Sequence, residues 1–170
     1  IKKHKIAVAH NPGSNMKLAS GVAPVPRLLS EGVVTALGTD GASSNNNLDM
    51  LEEVKLAAML HKVNEYDPLA VPAFEALKMG TEYGAQAVNI EGLGRLEAGY
   101  KADITLWDMN SAAWFPRNNL VSLLVYAANA GSVDTVICGG QVIMEKNELK
   151  TLDEERICYE AQRCADRLNK

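Results

Sequence analysis

One segment constrains the fold more than any other, an apolar run that ends in a single carboxylate. From Val33 to Asn46 it reads Val-Val-Thr-Ala-Leu-Gly-Thr-Asp-Gly-Ala-Ser-Ser-Asn-Asn. The β-branched residues at its start favour a buried strand, and the glycine, serine and asparagine residues after Asp40 end that strand. A strand that carries a carboxylate at its carboxyl end is typical of α/β barrels, where the chemistry lies at that end.

The elements around this strand predict an α/β fold. A strand is expected over Lys5–His10, a short helix over Pro24–Glu31, the second strand over Val33–Gly38 and a long helix over Leu48–Val63. Strands joined through a helix run parallel, because the crossover returns the chain to the same end of the sheet.

The remainder of the chain predicts further helices and then a change to β-structure. The expected elements are a helix from Asp67 to Met79, a short helix from Thr81 to Val88, a strand over Ala102–Asp108, a hairpin of Ser132–Cys138 with Gln141–Met144, and a final amphipathic helix from Asp153. The hairpin prediction rests on the Gly139-Gly140 pair, which suits a tight two-residue turn.

Composition excludes several classes of protein. The net charge of −4 and the lack of a basic cluster argue against a nucleic-acid partner, and the apolar stretches are too short and interrupted for a membrane span. The three cysteines form no CxxC pair, so we expect free thiols and a cytoplasmic location. The chain starts at Ile1 without a methionine and almost at once enters a strand, so we expect it to be a piece of a longer protein.

Four segments together resemble a known family. They are Ala9–Gly21 (AHNPGSNMKLASG), Leu37–Asn46 (LGTDGASSNN), Gly92–Asp103 (GLGRLEAGYKAD) and Val133–Gly140 (VDTVICGG). In order and spacing they resemble segments of the metal-dependent amidohydrolases, and most closely the 5-methylthioadenosine/S-adenosylhomocysteine deaminases and related chlorohydrolases.

The resemblance implies an α/β fold made from the last two β/α units of a TIM-like (β/α)8 barrel, part of a small flanking β-domain and a C-terminal helix. Residues 1–90 would supply barrel strands 7 and 8 with their helices, residues 91–150 part of the composite β-domain, and residues 151–170 the helix. The family's HxH pair, its further metal histidine and its catalytic glutamate and histidine would lie upstream of Ile1. The missing N-terminal part is therefore an expected partner.

Asp40 is the candidate metal ligand and catalytic residue. Hydrolytic deamination needs hydroxide at neutral pH, which a bound zinc supplies by lowering the pKa of its water to about 7. The resemblance implies one divalent metal, with zinc the expected ion and the remaining ligands upstream of this chain. Asp40 would bind the metal and shuttle a proton from water to the leaving amine. The structural alternative is an Asx-turn residue that closes the strand.

Three further residues are candidates for substrate binding: His10, Asn15 and Ser43, which lie at or after the ends of the two strands. The alternatives are a hydrogen-bonded structural histidine at position 10 and local turn or helix capping at positions 15 and 43. The other two histidines, His4 and His61, are expected to face solvent.

The expected function of the intact protein is hydrolytic deamination of aminopurine nucleosides, with ammonia lost from the 6-position. A different amidohydrolase of cyclic amidines, of the guanine deaminase or chlorohydrolase type, is one alternative. A non-catalytic fragment that associates with itself is another. We expect a homo-oligomer with a small-molecule nucleoside substrate, and we expect the isolated chain to be inactive, because two strands cannot close a barrel.

Overall fold

The two strands on either side of the first predicted crossover lie side by side and run parallel in the computed structural model, which describes residues 1–168. Strand β1 is Val8–His10 and strand β2 is Thr35–Leu37, with Val8 opposite Thr35 and His10 opposite Leu37. The parallel pairing and the α/β class are thus as predicted. Strand β1 begins later than expected, because Lys2–His4 forms a 3₁₀ turn and Lys5 adopts a left-handed φ of 52°.

The chain divides into two compact units, and the first comprises residues 1–101 and 109–132. Besides β1 and β2 this unit contains seven α-helices among the described residues: α1 (Pro12–Lys17), α2 (Val25–Ser30), α3 (Ala42–Asn45), α4 (Met50–Glu65), α5 (Ala73–Gly80), α6 (Glu82–Ala87) and α7 (Leu120–Tyr126). Gly32, at φ 71°, follows α2 and donates its N–H to the Leu29 carbonyl, as a C-terminal glycine cap does.

The core of the first unit lies between strand β2 and the helices. Its buried apolar residues are Val25, Leu37, Val54, Ala57, Ala58, Val71, Ala76, Met79 and Val125. Helices α4 and α5 supply most of them, so the burial of these two helices fixes where the carboxyl end of β2 points.

The helix predicted to start at Asp67 begins six positions later, at Ala73. Asp67 instead closes a turn, in which its carboxylate accepts the Leu69 N–H at 2.8 Å. A proline at position 72 disfavours helical backbone at Val71, and Val71 adopts φ 44°. The pair Asp67-Pro68 is typical of a helix start, but here the helix begins only after Pro72, the residue before α5.

The second unit comprises residues 102–108 and the chain from residue 133 onward. It contains a four-stranded antiparallel sheet in chain order: β3 (Ile104–Trp107), β4 (Val133–Cys138), β5 (Gln141–Glu145) and β6 (Glu148–Leu149). Gly139 and Gly140 form the predicted β4–β5 turn at φ 57° and 83°.

Helix α8 (Glu154–Leu168) closes the described part of the chain. Its start is fixed by Asp153, whose carboxylate accepts the Arg156 N–H at 3.0 Å. The last two positions of the predicted C-terminal helix, 169 and 170, lie outside the described residues. Across residues 1–168, no helix has the length and apolar character that crossing a membrane requires.

Candidate functional site

Asp40 lies just beyond the carboxyl end of β2, where the sequence places it. Its backbone adopts the left-handed conformation at φ 60°, which aspartate tolerates better than most residues. Its own Oδ1 accepts the Gly41 N–H at 2.8 Å. Because the side chain is exposed, the carboxylate is available to a ligand from outside this unit.

The other oxygen of Asp40 is held from the neighbouring strand. Helix α1 starts directly after β1, and the hydroxyl of its residue Ser14 donates to Asp40 Oδ2 at 2.7 Å. Parallel strands end at the same edge of their sheet, so residues that follow β1 and β2 meet there. Ser14 is buried, so its side chain has little freedom to turn away from Asp40.

Hydrogen-bond donors hold the pKa of Asp40 below its ordinary value. The hydroxyl of Ser44 contributes most, followed by the Ser14 hydroxyl and the Gly41 N–H. Each donor favours the charged carboxylate over the neutral acid. Asp40 is therefore an exposed anion at neutral pH, as a metal ligand must be.

A buried carboxylate, Glu53, joins the two segments that follow the strands. It lies in the first turn of α4 and is 2% exposed. Its Oε2 accepts the Gly13 N–H at 2.9 Å, and its Oε1 accepts an N–H from the Asn45 amide at 2.8 Å. A side chain at position 13 would collide with Glu53 Oε1, so the contact requires glycine there.

Asn45 completes a closed path of contacts. The nitrogen of its side-chain amide also donates to the Thr39 carbonyl oxygen at 2.8 Å, immediately before Asp40 in the chain. The path passes in order through Asp40, Ser14, Gly13, Glu53, Asn45 and Thr39, and returns to Asp40 through the backbone. We call this path the Asp40 ring. Both the side chain and the backbone of Asp40 are thereby fixed relative to α4.

A lysine adds a second link between the same two segments. Lys17 Nζ, at the end of α1, donates to the Ser43 carbonyl oxygen at 3.2 Å and to Asn46 Oδ1. The substrate candidate Ser43 is exposed and lies three residues after Asp40 in the sequence. Asn15, another substrate candidate, lies in α1, where its N–H donates to the Asn11 carbonyl oxygen and its own carbonyl oxygen accepts the Ser20 N–H.

His10 is not at the surface but is paired with a second histidine. His10 and His61 are both almost fully buried, and their Nε2 atoms lie 3.1 Å apart. Burial, followed by the charge of His61, lowers the pKa of His10 to about 4. Burial also lowers the pKa of His61, against the opposing effect of Glu65. The ring that accepts must be neutral, and the lowered pKa of both histidines makes the neutral form of each predominate at pH 7.

The prediction that His61 faces solvent is wrong, whereas His4 is exposed as expected. In α4 the buried residues are Glu53, Val54, Ala57, Ala58 and His61. Positions 53, 57 and 61 are spaced four apart and share one face of the helix with the apolar residues. This periodicity was the available signal for both Glu53 and His61, but polar residues are ordinarily assigned to the outer face.

Asp40 suits one position in a metal site, and the rest of such a site is not in the described residues. Within residues 1–168 no three His, Cys, Asp or Glu side chains are grouped so that they could hold a metal ion. A catalytic zinc takes three or more protein ligands. The ionised, exposed and fixed carboxylate of Asp40 fits a single ligand of that set.

Curated relatives match the chain over nearly its whole length. It is 56% identical over all 170 residues to a 5-methylthioadenosine/S-adenosylhomocysteine deaminase of Dictyoglomus thermophilum, of which it covers 40%. It is 46% identical, over 99% of its length, to a 5′-deoxyadenosine deaminase of Methanobrevibacter smithii, of which it covers 39%. The chain thus spans about two fifths of the length of these relatives.

Solved structures of two zinc-bound enzymes resemble the fold. An adenosine deaminase from Xanthomonas campestris superposes with a TM-score of 0.96 at 34% identity, over 99% of this chain and 38% of that one. An atrazine chlorohydrolase from Arthrobacter aurescens gives a TM-score of 0.88 at 26% identity, over 94% of this chain and 36% of that one. The sequence profile of the amidohydrolase family matches residues 1–143. The chain therefore belongs to the amidohydrolase family.

Proposed function

We propose that the protein containing this chain is a metal-dependent hydrolytic deaminase of aminopurine nucleosides, of the 5-methylthioadenosine/S-adenosylhomocysteine type. One observation carries the proposal: Asp40 is an exposed, ionised carboxylate held at the ends of two parallel strands by the Asp40 ring. The names of the relatives that match 96% to 100% of the chain support the substrate class.

The proposal includes a place for each part of the chain in the whole protein. Strands β1 and β2 would be strands 7 and 8 of a (β/α)8 barrel formed with the absent N-terminal part, and residues 1–90 its last two β/α units. Residues 91–150 would belong to the flanking β-domain and residues 151–170 to the C-terminal helix. The parallel pairing of β1 with β2 supports this arrangement, because barrel strands of this class are parallel.

Asp40 would act in two ways in this reaction. Its carboxylate would be one ligand of a divalent metal, with zinc the expected ion because zinc is bound in the two similar solved structures. When bound, such a metal activates water for attack at neutral pH. Asp40 then accepts a proton on a carboxylate oxygen and returns it to the amino group that leaves from the 6-position, so that ammonia departs neutral.

The substrate contacts proposed for this chain differ in their support. Ser43 is exposed next to the segment that carries Asp40, so its hydroxyl is free to meet a nucleoside. Asn15 lies in α1 beside Ser14 and would contribute from the same edge. His10 is buried against His61, so it would act by fixing the end of β1.

Two further properties are part of the proposal. The three cysteines are exposed and unpaired, which suits a reducing cytoplasm. A homo-oligomer is also proposed, in line with the exposed apolar side chains of Phe74, Leu69 and Val63 on the first unit.

The substitution Asp40→Asn in the full-length protein tests the function. It keeps the shape of the side chain but removes its charge, so we expect kcat/KM for 5-methylthioadenosine to fall by at least about 1,000-fold, the equivalent of several kcal/mol of lost metal and proton-transfer chemistry. Bound zinc per chain should fall as well. The control is Asp166→Asn, which removes an exposed carboxylate from α8. Full deamination by Asp40→Asn would refute the proposal, and chlorohydrolase activity of the wild type in its place would favour the alternative substrate class.

A further inference from the structure

Glu53 has a chemical setting that the proposed reaction does not use. It is 2% exposed, and across residues 1–168 no Lys, Arg or His nitrogen lies within ion-pair distance of its carboxylate. Its two oxygens are bound instead by neutral donors, the Gly13 N–H and the Asn45 amide. Burying a carboxylate is costly, so a simple structural glutamate would more commonly be placed where water or a cation reaches it.

The two donors come from the two segments that hold Asp40. Gly13 precedes Ser14, whose hydroxyl binds Asp40 Oδ2, and Asn45 binds the carbonyl oxygen of Thr39, the residue before Asp40. Within the described residues Glu53 is hydrogen-bonded to Gly13 and Asn45 and not directly to Asp40, and it is the only residue of the Asp40 ring that comes from a long helix. Helix α4, with 16 residues, is a more rigid anchor than the short helices α1 and α3 that contain Gly13 and Asn45.

We propose that Glu53 is a positioning residue, which sets the Asp40 carboxylate for metal binding through Gly13–Ser14 on one side and Asn45–Thr39 on the other. This inference rests on the proposed role of Asp40 as a metal ligand. Groups that orient metal ligands without touching the metal change metal affinity or activity by about 10–100-fold when they are replaced.

The geometry shows why glutamine cannot replace Glu53. Both of its neighbours present hydrogens, so the NH₂ group of a glutamine would face a donor in either orientation. Rotating the Asn45 amide would restore that contact, but it would turn an oxygen toward the Thr39 carbonyl oxygen. Glu53→Gln thus breaks the Asp40 ring while preserving side-chain size and leaving Asp40 and Ser14 intact.

The test compares Glu53→Gln with Glu52→Gln in the full-length protein. Glu52 is the neighbouring glutamate on the outer face of α4, so its variant controls for the loss of one charge at the same end of the helix. Zinc is removed, and the dissociation constant for zinc is measured by competition with a chelator, together with the melting temperature of the metal-free protein. We expect Glu53→Gln to raise the zinc dissociation constant by about 10–100-fold and to lower kcat more than it raises KM. Glu52→Gln should stay within about twofold of the wild type, the scatter expected of a surface substitution.

A double-substitution cycle with Ser14→Ala then tests the route. If Glu53 acts through Ser14, adding Glu53→Gln to Ser14→Ala costs much less zinc affinity than it does in the wild type. A Glu53→Gln protein that melts earlier but binds zinc as the wild type does would overturn the proposal, because Glu53 would then be structural only. If Glu53→Gln does not fold, Asn45→Ala, which removes the donor to Oε1, must show the same loss of zinc affinity, and unchanged affinity would overturn the proposal.

The same measurements separate this inference from the proposed function. If Asp40→Asn binds zinc as tightly as the wild type, the proposed role of Asp40 fails. If Asp40→Asn loses zinc and Glu53→Gln does not, only the role of Glu53 fails. If both variants lose zinc affinity but the wild type does not deaminate nucleosides, the positioning role stands and the substrate class is wrong.

Discussion

Asp40 is an exposed residue whose conformation is set by buried ones. Its φ of 60° and its two bound oxygens leave the carboxylate little freedom, although the residue is exposed. This arrangement requires that the Glu53 carboxylate be removed from water, which is unfavourable. In return, the segments after β1 and β2 are both bound to the same side chain. A preorganised carboxylate loses less entropy when it binds a metal than a free side chain does.

Gly13→Ala should disturb this anchor directly. The new methyl group would collide with Glu53 Oε1, which cannot withdraw without giving up its contact with Asn45. We expect a loss of about 1–3 kcal/mol in the free energy of unfolding, as for other substitutions that overpack a buried site. Denaturant titration of the full-length protein measures it.

The control for this substitution is Gly84→Ala, in helix α6. There the added Cβ would lie 3.8 Å from the Met79 carbonyl oxygen, an ordinary contact. Alanine favours a helix over glycine by up to about 1 kcal/mol, so this variant should be as stable as the wild type or more so. Equal stability of Gly13→Ala and Gly84→Ala would show that Glu53 is free to move.

At the level of elements, the histidine pair links β1 to α4 and makes their packing sensitive to acid. The pKa of His10 is about 4 in the folded protein and about 6.5 in an unfolded chain, so the unfolded state takes up a proton first as the pH falls. The stabilisation from neutral His10 is complete above pH 6.5 and is lost between there and pH 4. The loss amounts to on the order of 3 kcal/mol.

This dependence is measured as the difference in unfolding free energy between the wild type and His10→Gln, from pH 7 to pH 4. We expect the advantage of the wild type to shrink as the pH falls, because only the wild type carries the buried imidazole of His10. His4→Gln, which removes an exposed imidazole, is the matched control for the loss of a histidine. A pH-independent advantage of the wild type over His10→Gln would contradict the prediction.

Much of the element order could be predicted from local sequence signals. Helix α4 and the β4–β5 hairpin lie within two residues of where the pattern places them, because apolar periodicity and glycine pairs act over a few residues. The start of α5 could not be placed, since the Asp67-Pro68 signal competes with Pro72 a few positions on. The burial of Glu53 and His61 was also missed, because their partners lie far away in the sequence.

In the candidate site too, the features set by local sequence could be predicted, whereas those set by residues far apart in the sequence could not. The position of Asp40 just after β2 is set by one continuous run of residues, so the sequence alone indicates it. The residues that support Asp40 depend on which segments meet when the two strands pair, and no local pattern contains that information. Thus Ser14, which the sequence did not single out, supplies a donor to Asp40.

At the level of the whole molecule, Asp40 is the one ligand proposed for a metal, and in the described residues strands β1 and β2 are each paired on one side. Within residues 1–168, β1 and β2 form a sheet of their own, and no group of three metal-ligating side chains is present. We expect the 170-residue chain, expressed alone and dialysed, to contain far less than one zinc per chain and to release no ammonia from 5-methylthioadenosine. Elemental analysis and an ammonia assay measure both.

The control for that experiment is the full-length protein, which should retain close to one zinc per chain under the same dialysis. Close to one zinc on the 170-residue chain alone would mean that copies of this chain complete the site between them. The prediction follows from ligand count, because one carboxylate does not hold zinc against dilution.

The Asp40 ring has a consequence for inheritance. All of its contacts lie between Gly13 and Glu53, in one unbroken stretch of the chain. A genetic exchange with breakpoints outside that stretch would transfer the carboxylate together with everything that orients it. An exchange with a breakpoint inside would combine an aspartate from one parent with an anchor from the other, so viable chimaeras of this enzyme class should inherit the stretch whole.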